Sequence, residues 1–310
     1  MSQPAPVPDR VTGSGLAFAL AAYLLWGFLP LAFVLLVPST PVEIVSWRIV
    51  LSLVFCALLL TVTSGWRRFA SLARDRTAVV TLAIAAVFIL INWSGFIFAA
   101  TTGHVVEASL GYFTNPIVTV LLGVLVLRER LSALQWTAIG VSAVAVLALA
   151  IGYGAFPWIA LVLAFSFGLY GLSKKKVGPR ADAIGGLTME TLLLSPLALA
   201  ALGWVAVTTG LTIGTRDTVH TVVMLSVGAI TATPLLLFAA AARRLPLIYV
   251  GLVQYVSPLL QFAIGVWILG EAMPPERWMG FAIVWIALAI LTFDAFLRKP
   301  SRNALTGNEM

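Results

Sequence analysis

Charge is scarce in this chain: Asp, Glu, Lys and Arg make up 10% of its 310 residues, while 61% are hydrophobic and the mean hydropathy is +1.04. A water-soluble domain carries about 25% charged residues, and its core could not hide so much apolar surface, so a soluble globular fold is excluded. Cysteine is nearly absent. Cys56 stands alone inside an apolar run, which excludes a disulfide framework and a thiolate metal cluster and leaves packing as its role. Histidine is limited to His104 and His220, which fall in separate connections and offer no ligand pair. No His-Glu-x-x-His, Gly-x-Ser-x-Gly, Walker-type loop or dinucleotide fingerprint occurs, which argues against a membrane metalloprotease or an ATP-driven machine and leaves no basis for a metal or cofactor.

What the chain has instead is apolar runs of roughly 20 residues, the length that crosses a bilayer core as a helix. They predict helices over residues 13–36, 42–62, 77–100, 105–127, 132–151, 155–173, 183–206, 221–242, 246–269 and 277–297, with lipid as the surrounding medium. The first run follows Asp9 and Arg10 but is longer than a signal-peptide core, so it is expected to be retained. The connections are short and carry turn signals such as Pro38-Ser39-Thr40-Pro41, Thr101-Thr102-Gly103 and Pro274-Pro275, which implies antiparallel neighbours.

A net charge of +7 invites a nucleic-acid reading, but the placement of the cations speaks for topology. With the N-terminus inside, 16 of the 19 Lys and Arg fall in inside segments, Arg216 and Arg277 fall outside, and Arg48 lies within the second helix. By the positive-inside rule both termini are expected in the cytoplasm.

Shifting the chain by 142 positions lays Leu110 to Trp136 over Leu252 to Trp278 without a gap, matching Pro116, Gly123, Leu127, Glu129 and Trp136 to Pro258, Gly265, Leu269, Glu271 and Trp278. Five helices per copy is odd, so the second copy enters the membrane from the opposite side. The expected fold is an all-α integral membrane protein of ten transmembrane helices in two inverted five-helix repeats. The repeats span residues 13–152 and 153–297, between cytoplasmic tails 1–12 and 298–310. Inverted repeats of this kind open one central site alternately to each side of a membrane.

In the fourth predicted helix Tyr112, Asn115, Thr119 and Gly123 share one face, and the ninth repeats it as Gln254, Ser257, Gln261 and Gly265. Polar groups facing lipid are costly, so both faces are expected to point into the bundle, either lining a cavity or gluing the two helices together. Pro116 and Pro258 free the carbonyls of Tyr112 and Gln254, either as solute contacts or simply as kinks. Four ionisable residues lie inside apolar runs: Glu43, Arg48, Glu107 and Glu190. Each costs about 3 kcal/mol at mid-bilayer and needs a partner or a wet surface, which makes them gating or coupling candidates. Glu43 and Glu107 lie near helix ends, within reach of the headgroups. A structural ion pair with Arg48 is the alternative role for Glu43 or Glu190. Asp294 and Arg298 are spaced for a local surface pair, and His104 and His220 fall at the outer surface.

The run Glu107-Ala108-Ser109-Leu110-Gly111-Tyr112-Phe113-Thr114-Asn115-Pro116, with Leu127-Arg128-Glu129-Arg130-Leu131, Ala164-Phe165-Ser166-Phe167 and Gln254-Tyr255-Val256-Ser257-Pro258, resembles the RarD group of EamA-type transporters in the drug/metabolite transporter (DMT) superfamily. The group's Glu-Ile-x-x-His-Arg pattern stands here as Glu43 to Arg48, with Trp47 at the histidine position. The resemblance implies a bacterial inner-membrane permease with a cavity between its halves, exporting amino acids, metabolites or drugs. Tyr112, Asn115, Gln254 and Tyr255 would lie near that cavity. Its partners would be a small-molecule solute, the lipid bilayer and a coupling proton or counter-solute, with no nucleic acid. Two other readings remain open on the residues alone: a membrane enzyme acting on a lipid-linked substrate through an embedded Glu and Arg, and a scaffold or sensor that transports nothing.

Overall fold

A computed structural model of the protein describes residues 13–127, 131–152, 156–242, 244–245, 249 and 252–297. Among these the fold is all-helical, with eleven α-helices and no strand: α1 (Gly13–Val34), α2 (Pro41–Val62), α3 (Trp66–Arg74), α4 (Arg76–Thr101), α5 (Val105–Leu127), α6 (Ala133–Gly152), α7 (Trp158–Val177), α8 (Ala183–Thr208), α9 (Thr218–Ala242), α10 (Val256–Ala263) and α11 (Pro275–Leu297). Seven of them, α1, α2, α4, α5, α8, α9 and α11, are long and apolar enough to cross a membrane. They carry wide exposed apolar faces, among them Leu58, Val62, Leu197, Trp204 and Ile286, as helices solvated by hydrocarbon do.

Local chemistry sets the helix starts. Thr40 caps α2 by accepting from the Glu43 amide at 3.2 Å, and Pro41 follows at the position where its missing N–H costs nothing. Asp75 caps α4 through the Ala78 amide and Asp182 caps α8 through the Gly185 amide. Without these acceptors the first-turn amides would be orphaned.

Two elements differ from the expected spans. Residues 66–74 form the short helix α3, since Trp66, Phe69 and Leu72 recur at helical spacing while Arg67, Arg68 and Arg74 face outward. The ninth span is not continuous: Gln254 and Tyr255 form a turn, α10 begins at Val256, and a π-helical stretch follows over Ile264–Ile268. Pro258 is the reason. It has no N–H for the Gln254 carbonyl, and it sits in the first turn of α10, where a missing donor is tolerated. Pro116, by contrast, lies inside the unbroken helix α5.

The helices pack in definite pairs. α1 lies against α9 and α10, α7 against α4 and α5, α2 against α8 and α9, α4 against α8, α5 against α10, and α6 against α11. Glycine allows the closest crossings. A Cβ at Gly228 would stand 2.4 Å from the Leu51 carbonyl oxygen of α2, and one at Gly111 would stand 2.7 Å from the Ala160 carbonyl oxygen of α7.

Candidate functional site

The largest buried cluster joins α1, α2, α4, α5, α7, α8 and α9, and Arg48 lies inside it. The side chain is 4% exposed. Its guanidinium stacks 4.3 Å from the Trp93 ring centroid and 5.4 Å from that of Phe33. Nε and Nη1 have no hydrogen-bond partner, and among the described residues no carboxylate comes within 4.0 Å. Burying an ion costs several kcal/mol after relaxation, and a desolvated cation–π contact returns about 2 kcal/mol, so the rings offset only part of the cost. The expected ion pair of Arg48 with Glu43 or Glu190 is absent from the fold: Glu190 pairs with Lys174, and Glu43 accepts from Thr212 through Oε1 while its Oε2 stays buried without a hydrogen-bond partner.

An aromatic wall leads away from Arg48. Phe33 meets Phe96 at 5.9 Å, Phe96 meets Tyr112 at 5.6 Å, Tyr112 meets Phe167 at 6.1 Å, and Phe167 meets Tyr170 at 6.0 Å. The Tyr112 hydroxyl donates to Asn92 Oδ1 at 3.1 Å, and Asn92 Nδ2 donates to the Leu163 carbonyl, which fixes the wall to α4 and α7. Asn115, nearly one turn beyond Tyr112, presents a buried Oδ1 without a partner, 3.7 Å from a Cβ built at Gly168. Thr119, farther along the same face, is exposed.

The wall ends at Glu190, which is wholly buried. Tyr170 donates to its Oε2 at 3.2 Å and Lys174 pairs with its Oε1 at 2.7 Å. The carboxylate thus ties α8 to the last turn of α7. Glu43 is also buried, not reaching outward, and its Oε1 accepts from the Thr212 amide at 2.8 Å and hydroxyl at 3.0 Å. Ser39 completes this knot through Thr212 at 2.6 Å and His220 Nε2 at 2.7 Å, so His220 is buried, against the surface placement expected from the sequence. Glu107 accepts from the Ile159 amide at 3.0 Å, and Glu271 accepts from the amides of Val105 and Val106, so two carboxylates hold the starts of α7 and α5. Asp294 is buried and accepts from Ser132 at 2.8 Å, joining α11 to α6 rather than lying free on the surface; Arg298 falls outside the described residues.

The second-half candidates separate into different surroundings. Gln261 donates to the Trp26 carbonyl and to Ser257, each at 3.2 Å, leaving its own Oε1 buried and unpartnered. Tyr255 packs in a second cluster with Phe113, beside Thr292 of α11, on an apolar groove of about 590 Å³. Gln254 is half-buried at the turn before α10. Sequence reasoning missed Phe33, Asn92, Trp93, Ser39, Thr212 and Lys174. Asn92 and Trp93, adjacent inside an otherwise apolar run, carried a signal that could have been read; partners on distant helices carried none.

The EamA-like transporter family matches residues 13–151. Over 290 residues the chain is 46% identical to protein RarD of Streptomyces exfoliatus, an alignment that covers 94% of this chain and 91% of the relative. This chain belongs to the RarD group of EamA-like transporters. It is a multi-pass transporter of the bacterial inner membrane, within the DMT superfamily. The RarD-type chain is also 39% identical to uncharacterized transporter YojE of Bacillus subtilis, with 91% of this chain and 95% of that one covered. Protein RarD of Escherichia coli is 37% identical over 92% of this chain and 96% of its own. A solved crystal structure with 18% identity superposes with a TM-score of 0.57 over 92% of this chain and 98% of its own, a likeness of fold alone. The RarD-type run Glu107 to Pro116 therefore builds the first half of α5, where Gly111 lets α7 approach and Tyr112 turns toward Arg48 and Phe167.

Proposed function

We propose that this protein is a secondary transporter that exports small metabolites, amino acids or drugs by alternating access. Ten spans form two inverted halves, residues 13–152 and 153–297, with the N- and C-terminal tails in the cytoplasm. The observation that carries the reading is the pairing of helices. Exchange α1, α2, α4, α5 and α6 with α7, α8, α9, α10 and α11, and the principal pairs map onto one another: α1 with α9 onto α7 with α4, α5 with α7 onto α10 with α1, α2 with α9 onto α8 with α4. α2 with α8, α5 with α10 and α6 with α11 map onto themselves. Side chains follow the same exchange. Gly27 of α1 is crossed by Leu260 of α10, and Gly168 of α7 by Val118 of α5, with Val118 and Leu260 separated by the 142 positions of the sequence repeat. Two related halves with exchangeable packing are what alternate opening requires.

In this reading Tyr112, Asn115, Thr119, Ser257, Gln261, Gln254 and Tyr255 line or border the path, Pro116 and Pro258 bend its helices, and energy comes from a coupling proton or a counter-solute. Glu43 with Thr212, and Glu107 with the α7 start, close one end, while Glu190 with Lys174 closes the other. The test is solute flux in proteoliposomes, with single cysteines placed at Thr212 and at Ser173 in a Cys56→Ser background to report each end. Solute-dependent, opposite changes in labelling at the two positions are expected. A membrane enzyme or scaffold would give neither flux nor reciprocal labelling.

A further inference from the structure

Arg48 is a buried cation whose counter-charge is missing from the described fold. It lies seven residues into α2, about 10 Å of helix rise from Pro41, yet it is 4% exposed and so does not escape to the end of the bundle. None of the carboxylates within the spans pairs with it: Glu43 is held by Thr212 through Oε1 and keeps a buried Oε2 without a hydrogen-bond partner, Glu190 is held by Lys174 and Tyr170, and Glu107 by Ile159. The guanidinium carbon lies 4.3 Å from the Trp93 ring centroid, a contact that uses none of the N–H groups, and Nε and Nη1 keep no hydrogen-bond partner. Each of the two forks of a guanidinium that match a carboxylate, Nε with Nη2 and Nη1 with Nη2, retains at least one unpartnered donor here. The wall beside it is aromatic: Phe33 and Trp93 lie against the cation, and Phe96 and Tyr112 continue in ring contact from Phe33.

We propose that Arg48 is the anion-binding group of the transport site, and that the transported solute is a small carboxylate with an aromatic or apolar body. The carboxylate completes the hydrogen bonds that the fold leaves open, and the carbon skeleton packs on the rings. This rests on the transporter reading for its biological sense but not for its test, because binding and flux are separable.

The experiment measures binding to the purified full-length protein by thermal stabilisation and calorimetry, using phenylacetate, acetate and the neutral phenylacetamide, on wild type, Arg48→Met and Arg48→Lys. Wild type is expected to bind phenylacetate more tightly than acetate and phenylacetamide weakest of all. Arg48→Met is expected to lose about tenfold to a hundredfold in phenylacetate affinity, the range for one charge-assisted contact, with no change for phenylacetamide. Arg48→Lys keeps the charge and loses the fork, so an intermediate affinity is expected, and it stands in if the methionine variant does not fold. Equal binding of phenylacetate and phenylacetamide, binding untouched in Arg48→Met, or silence with all three probes overturns the proposal. Flux of the same probes in proteoliposomes separates the two claims: Arg48-dependent binding without flux leaves the anion site standing and removes the transporter, whereas flux of neutral solutes alone does the reverse.

Discussion

Gly228→Ala is expected to weaken the fold where α9 crosses α2. A Cβ there would meet the Leu51 carbonyl carbon and oxygen at 2.4 Å and the Ser52 amide nitrogen at 2.9 Å, where ordinary contact begins at 3.4 Å. All three atoms are backbone, so no rotamer change relieves the clash and the two helices must separate by about 1 Å. Forcing a methyl into such a contact costs about 1–3 kcal/mol, which at about 2–4 °C per kcal/mol lowers the apparent melting temperature by about 2–12 °C. The chain supplies its own probe. Cys56 is the only thiol and is 1% exposed, so a thiol-reactive dye reports unfolding as it becomes accessible. Gly111→Ala, facing the Ala160 carbonyl at 2.7 Å, is expected to behave alike, while Gly140→Ala and Gly171→Ala, with nothing within 4 Å of the new methyl, should melt with wild type. If Gly228→Ala melts no lower than those two controls, the α2–α9 packing described above is refuted.

Four further substitutions probe the site and its ends. Glu190→Gln leaves Lys174 facing a neutral amide; breaking a buried pair costs about 3–5 kcal/mol, toward the lower end here because the Lys174 side chain is 29% exposed, and the same dye assay reads it. Its flux should also change in pH dependence, and an unaltered profile removes Glu190 from coupling. Asn115→Leu and Gln254→Leu are expected to reduce transport while leaving expression and melting nearly unchanged, since Asn115 Oδ1 has no protein partner to lose; normal flux in both variants defeats the cavity assignment. With a cysteine in place of Thr212 the backbone amide's hydrogen bond to Glu43 remains, so adding Glu43→Leu should speed modification of that cysteine by about tenfold in the Cys56→Ser background; an unchanged rate means that Glu43 does not hold that end.

Seven of the expected spans were legible because lipid imposes one rule everywhere: a backbone in hydrocarbon must satisfy itself as helix, and about 20 apolar residues announce it. α3 escaped because it is only nine residues long and lies between two stronger runs. The break before α10 was announced by Pro258, yet an identical argument at Pro116 marks no break, so local chemistry alone did not decide between kink and interruption. The ionisable residues stood out by cost, and Glu43, Glu107, Glu190 and Arg48 are all enclosed or bonded within the fold. Their partners were not legible: Thr212 is 169 positions from Glu43, and Trp93 reaches Arg48 only because α4 passes beside α2. Sequence spacing reads one helix at a time, whereas a site in a bundle is assembled from several.

The central claim is that solute passes between two halves that open in alternation. It is tested most directly by joining Ser39→Cys and His220→Cys with a bifunctional thiol reagent in the Cys56→Ser background, at the point where α9 meets the α1–α2 link through a 2.7 Å contact, and measuring solute flux in proteoliposomes. Flux above protein-free liposomes before joining, abolished after it and restored on cleaving the tether, is the expected result. Flux that persists with this end tethered shut, or that never exceeds the protein-free rate, contradicts the account.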